Sequence, residues 1–324
     1  MIPLRASGSL LRLLQEHRVS YTRSWPTSVP LLLKSHASDA AHIGRQIKDD
    51  YAKLSSAYRC PQFPIVLAHG LLGFDEMHVA GRYLPGFHYW RGIIDAFRSH
   101  GIEVITASVP ASASIQERAS KLGQEIEQKA RGRAVNIVAH SMGGLDARYL
   151  ISRIQPSSMQ ILSLTTISTP HQGTAIADYI FNQIGDLRLP KVYRMLENLS
   201  LETGAFNQLT REYMQHNFNP TVLNKHDVRY FSYGAATTHG PWSAFRFSNK
   251  LLSELEGPND GLVSVSSSKW GEYKGTLIDV SHLDLINWTN RLRWLVWEIL
   301  GQKRKFNAIA FYLSIADMLA GEGF

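Results

Sequence analysis

A chain of 324 residues can bury one large core, and 44% apolar against 19% charged residues is a globular balance that excludes a wholly disordered protein. The formal net charge of +7 is concentrated at the front, where residues 1–38 carry Arg5, Arg12, Arg18, Arg23 and Lys34 against Glu16 alone. The remainder is nearly balanced and offers no basic face for nucleic acid; the short run Lys303, Arg304 and Lys305 reads as a solvated helix end. The single cysteine, Cys60, excludes an intramolecular disulfide and suits a reducing compartment. No apolar run approaches the ~18 residues of a membrane-spanning helix, so any encounter with a membrane is expected at its surface.

Residues 1–38, rich in Arg and Ser and poor in acids, have an amphipathic turn through Leu10, Leu11, Leu13 and Leu14. This composition points to a mitochondrial presequence, the alternative being a basic terminus with no address; a secretory signal fits less well, because charge interrupts its apolar stretch. Residues 39–324 read as a single catalytic domain. Phe63 to Ala68 has the continuous apolar character of a buried strand, Trp90 to Ser99 that of a helix, and Glu103 to Val109 that of a second strand. Ile115, Ala119, Leu122 and Ile126 recur at helical spacing. Ala134 to Ala139 is a third strand, followed by a helix through Leu145, Tyr149 and Ile154, and Ile161 to Ile167 is a fourth. Strands alternating with helices imply right-handed crossovers and a mostly parallel sheet, an α/β fold with helices on both faces.

The alternation breaks between Gly173 and Pro220, where two helical segments intervene. Ile176, Ile180 and Ile184 share a face of the first, and Val192, Met195, Leu196 and Leu199 a face of the second. The insertion, about residues 173–220, is either a lid over an apolar pocket or a plain cover for the sheet. Val228 to Tyr233 is the next strand, and Thr276 to Val280 the last. Helices are expected around Leu285 to Leu300 and from Asn307 to Leu319.

The stretch Val135 to Leu145 is an apolar strand, then Ala139, His140, Ser141, Met142 and Gly143, then a helix. A serine on a sharp strand-to-helix turn with small neighbours projects its hydroxyl freely, and the helix N-terminus supplies backbone N–H groups to a developing oxyanion. Ser141 is therefore the candidate nucleophile of an α/β-hydrolase fold, with Ala139 in place of the usual first glycine. His69 and Gly70 open the loop after the first strand, which in such folds supplies a second donor. The N–H groups of Leu71 and Met142 form the expected oxyanion hole.

A general base must come from 13 histidines. His140 precedes the nucleophile and is expected to point elsewhere; His69 and His171 come too early for the order Ser, acid, His. His282, after the last strand, fits best. Between Ser141 and His282, Asp260 lies on an Asn-Asp-Gly turn and is the favoured acid. Asp227 and Asp279 lie in or at strands, and Asp284 is too close to His282 to orient it.

The blocks HGLLGFD, AHSMGGLDARYLI, LSLTTISTPHQGT, GPNDGLVSVSSSKWGEYKGT, HLDLINW and FYLSIADMLAGEGF together resemble the mitochondrial triacylglycerol lipases of yeast and related fungi, and more loosely the bacterial true lipases. The resemblance spans about residues 60–324. It implies hydrolysis of acylglycerol esters without a cofactor, a mitochondrial location, and a triad falling on Ser141, Asp260 and His282. The bacterial relatives also hold calcium with two aspartates. Asp284 stands where one would be, but the stretch 234–252 before Asp260 contains no aspartate to partner it, and Trp288 stands where a polar ligand is expected. A phospholipase or broad carboxylesterase is the nearest alternative, and a catalytically silent, membrane-associated scaffold the alternative from another class.

Overall fold

A computed structural model describes residues 43–55, 57–71, 89–111, 113–185, 206–238, 245–288 and 306–324. Among these, β1 (Gln46–Ile47), β2 (Ile65–Ala68), β3 (Val104–Ala107), β4 (Val135–His140), β5 (Ile161–Ile167), β6 (Arg229–Ala236) and β7 (Glu272–Ile278) form one sheet. Their order is β1-β7-β6-β5-β4-β2-β3, and every described pairing is parallel. The expected α/β-hydrolase architecture is present.

Both faces of this sheet are covered, which is why β2 and β4 are buried along their whole length and read as unbroken apolar runs. The strand alternation divides the core. Ile65, Leu67 and Val138 pack with α1 (Ile93–Ser99) on one face, while Val66, Ala68, Ile137 and Ala139 pack with α2 (Ile115–Ala130) and α3 (Gly143–Tyr149) on the other. Ser114 and Glu117 form a capping box that starts α2, and Ile115, Ala119, Leu122 and Ile126 are its buried stripe, as their spacing requires. A π-helical turn, Leu150–Ile154, extends α3.

The insertion begins with α4 (Ala175–Gly185) and ends in α5, a helical run over 211–221 with a wide π turn at Met214–Phe218. Its two ends are tied together. Thr174 N–H donates to the Leu209 carbonyl at 3.0 Å, Arg211 N–H donates to Asp178 at 2.9 Å, and the two side chains form an ion pair. The expected helix through Val192 to Leu199 lies outside the described residues, as do residues 1–42 and most of the helix expected from Leu285 to Leu300.

Four elements were not expected: β1, α5, α6 (Arg246–Leu255) and α7 (Val265–Ser268). The last strand begins four residues earlier than its apolar run and stops at Ile278, because Asp279 turns left-handed at φ 62°. The closing helix α8 (Ala308–Gly321), capped by Asn307, is buried on nearly every side and fills the face covered by α1.

Strand order locates the functional end of the sheet. β2 lies between β3 and β4, so the chain leaves β2 toward one side and β4 toward the other, and a crevice opens at their carboxyl ends. The register pairs Ala68 with Ala139. The loop bearing Leu71 therefore emerges beside the turn bearing Ser141.

Candidate active site

Ser141 follows the last residue of β4, and its φ of 56° is a left-handed conformation that costs a non-glycine residue about 1–3 kcal/mol. Neighbours hold it there: Ser141 N–H donates to the Ile167 carbonyl at 3.0 Å, and its own carbonyl accepts from the Thr169 hydroxyl at 2.7 Å. The turn is tight enough to dictate its glycines. A Cβ on Gly143 would stand 2.6 Å from the Ala68 carbonyl oxygen, and one on Gly70 would stand 2.7 Å from Ser141 Cβ. Met142 caps α3, and Leu71 packs into the apolar cluster that holds Met142, Leu145, Met214 and Phe218. Among the described residues neither Leu71 nor Met142 gives its N–H to another backbone group.

Asp260 and His282 meet as their order in the chain suggests. His282 Nδ1 lies 2.7 Å from Asp260 Oδ2, and His282 N–H donates to the Asp260 carbonyl at 3.0 Å. The other carboxylate oxygen accepts the N–H groups of Leu262 and Val263 at 2.9 and 2.8 Å, so the buried side chain is fixed at both oxygens. With Nδ1 on Asp260, Nε2 projects from the opposite edge of the ring. The hydrogen bonds of Ser141 run through its backbone, and its hydroxyl makes none to His282 among the described residues. Bonds of this kind often tighten only around substrate.

His140 does not point away from the site as expected. Its ring centroid is 4.5 Å from that of His282, so the residue before the candidate nucleophile flanks the candidate base. Its Nδ1 lies 2.6 Å from the Tyr89 hydroxyl, and that oxygen accepts the Gly70 N–H at 3.0 Å. Spacing gave no signal for Tyr89.

Arg118 is a second residue that sequence reasoning missed. Fully buried, it donates to the carbonyls of His69, Gly70 and Pro110 and pairs with Asp146 on α3. One guanidinium thus ties the Leu71 loop to α2 and α3. Burial lifts the Asp146 carboxyl to about 6, outweighing the opposite pull of Arg118. A signal existed: Arg118 stands three residues after Ile115 and four before Leu122, on the apolar stripe of α2.

Three buried histidines are kept neutral. Burial, aided by Arg118 and opposed by the Gly70 carbonyl, lowers His69 from 6.5 to about 4; burial likewise holds His140 and His171 well below 6.5. Each binds a proton more readily in the unfolded chain, which therefore holds more protons between pH 6.5 and 4, and stability rises with pH across that window. Going down from pH 6.5 to 4, His69 alone removes about 3 kcal/mol. Urea unfolding at pH 7, 6, 5 and 4 measures the loss, and an unchanged midpoint from pH 6.5 to 5 contradicts it.

The chain is 37% identical over 320 residues to triacylglycerol lipase 2 of Saccharomyces cerevisiae, covering 85% of this chain and 96% of the yeast protein. The chain belongs to the triacylglycerol lipase family. A triacylglycerol lipase of Pseudomonas fragi is 25% identical over 81% of this chain and 97% of its own. The family model for palmitoyl protein thioesterase matches residues 64–238 and places the lipase within that wider family too; the match includes Ser141 and ends before Asp260. The crystal structure of Staphylococcus hyicus lipase superposes with a TM-score of 0.60 at 22% identity, over 81% of this chain and 98% of that one, and supports the fold. The lipase is a hydrolase of carboxylic esters.

Asp284 accepts the N–H and hydroxyl of Ser281 at 3.0 and 2.6 Å, which fixes the loop carrying His282. No three His, Cys, Asp or Glu side chains gather among the described residues in a way that could hold a metal ion.

Proposed function

We propose that the chain hydrolyses long-chain acylglycerol esters by acyl transfer through Ser141, with His282 as general base and Asp260 as its orienting acid. One observation carries this reading: the Asp260–His282 hydrogen bond lies beside the strained turn of Ser141, the rings of His140 and His282 in contact. His282 Nε2 takes the hydroxyl proton as Ser141 Oγ attacks the ester carbonyl, and the N–H groups of Leu71 and Met142 receive the oxyanion. The tetrahedral intermediate collapses, and the departing glyceride oxygen takes that proton. Water then attacks the acyl-enzyme with His282 again as base, releasing the fatty acid and restoring the serine.

The acyl chain is assigned to the apolar wall that Leu71 and Met142 share with Leu145, Met214 and Phe218, which α5 helps to form. The names of the yeast and Pseudomonas relatives support triacylglycerol as substrate. Exposed Tyr179 and Phe181 on α4, with Phe247 on α6 in ring contact with Tyr179, favour work at a lipid surface. Among the described residues no helix is long and apolar enough to cross a membrane.

The test is a rate panel running from soluble short-chain esters to emulsified long-chain triacylglycerol and phospholipid, with fluorophosphonate labelling alongside. Rates should rise sharply on the triacylglycerol emulsion, with the probe attached to Ser141. Preference for phospholipid or soluble esters moves the reading to those classes, and absence of labelling in folded protein favours a silent scaffold. The basic residues 1–38 further support a mitochondrial location, to be tested by sequencing the mature N-terminus from fractionated cells.

A further inference from the structure

His140 is buried and polar, and the acyl-transfer chemistry above gives it no role. Its Nδ1 lies 2.6 Å from the Tyr89 hydroxyl, and with the phenol as donor the ring's own proton sits on Nε2. That nitrogen is buried and faces the His282 backbone carbonyl, without a bond of regular geometry among the described residues. The ring meets His282 at 4.5 Å between centroids and 45° between planes. Burial first, and the charge of His282 second, hold His140 well below the usual imidazole range; the His282 backbone carbonyl pulls the other way. His140 therefore stays neutral while its neighbour gains and loses a proton.

Tyr89 connects this ring to the other half of the site. Its hydroxyl oxygen accepts the N–H of Gly70, the residue before Leu71, at 3.0 Å. A Cβ on Gly70 would lie 3.1 Å from both the Tyr89 and Ser141 hydroxyl oxygens, so the two hydroxyls converge on one point. The chain Gly70, Tyr89, His140, His282 joins the loop of the oxyanion hole to the flank of the base.

We infer that Tyr89 and His140 are positioning residues that act together to hold the His282 ring, an inference resting on the proposed role of His282 as base. Asp260 fixes the ring at one edge only. A hydrogen bond at Nδ1 permits the imidazole to swing about the line to the carboxylate, and a tilted ring in close contact with it obstructs that motion. The flanking group must be flat and must remain uncharged beside an imidazolium. A histidine held neutral by burial, with its rotation locked by Tyr89, meets both demands.

The test uses Tyr89→Phe, His140→Phe and the double variant in the full chain, assayed on a soluble short-chain ester and by the rate of fluorophosphonate labelling. Each single variant should lower kcat and the labelling rate about tenfold with KM unchanged, and the double variant should fall no further than the slower single one. Losses smaller than threefold in both singles, losses that multiply in the double, or a change confined to KM each overturn the inference. Should His140→Phe not fold, Tyr89→Phe, which removes one oxygen atom, decides by the same threefold limit. Ser141→Ala and His282→Ala are run beside them. If these two keep their activity, it is the acyl-transfer reading that fails; if they are inactive while Tyr89→Phe and His140→Phe remain within threefold of wild type, only the positioning inference does.

Discussion

Ser141→Ala should lower turnover about a millionfold, the scale seen when a triad nucleophile is removed and only the oxyanion donors and substrate binding remain. The fold should survive. Alanine is smaller than serine, and the backbone bonds from Ser141 to Ile167 and from Thr169 to Ser141 do not involve the lost hydroxyl. The strain at φ 56° persists in the variant, since alanine is no better suited than serine to the left-handed region. Single-turnover assays on a chromogenic ester, with circular dichroism to confirm folding, measure the effect. Activity within tenfold of wild type would remove Ser141 from the mechanism.

The second large effect is on stability. Arg118→Met should cost about 3–5 kcal/mol, the range for breaking a buried ion pair from one side. Methionine fills most of the volume but leaves the carbonyls of His69, Gly70 and Pro110 without their donor and the Asp146 carboxylate without its cation. Burial has already lifted Asp146 to about 6, so without Arg118 it protonates rather than staying ionised, which sets the cost toward the lower end. Adding Asp146→Leu should restore part of the loss, because the stranded acid is then gone. Turnover should fall in both variants even where they remain folded, as the loop before Leu71 has lost its tether. Urea unfolding reads the first effect, and a loss below 1 kcal/mol would show that the guanidinium is not the brace its bonds suggest.

What could be read from the chain divides along physical lines. β2, β4 and β5 are buried on both faces, and such strands carry their identity in composition. α2 displays its face through spacing. Asp260 and His282 could be placed because chain order in this fold constrains them, and the structure joins them by a hydrogen bond. β1, only two residues long, is too short to show a period; it is defined by pairing Gln46 with Thr276 and Ile47 with Leu277, far along the chain. In α6, Ser248 and Asn249 weaken the helical preference, and Phe247 and Leu255 are exposed, so its pattern does not match a half-buried helix. His140 was misplaced for a different reason. The elbow does turn the serine away from it, but the loop after β7 brings His282 across to meet it, a contact between distant segments that spacing does not encode. Arg118 resembled an ordinary surface charge because its partner, Asp146, stands one strand later.

The neck of the insertion has a consequence for how such an enzyme diversifies. Thr174 bonds to Leu209, and Asp178 to Arg211, so the chain leaves the hydrolase body and returns to it at a single point. Residues gained or lost between 185 and 206 need not shift either end, and the entropic cost of lengthening a closed excursion grows only with the logarithm of its length. Selection can thus rewrite that segment while the serine, aspartate and histidine keep their places. In the laboratory, the same junction marks where segments from relatives could be exchanged to alter substrate range, with the chemistry left to the rest of the chain.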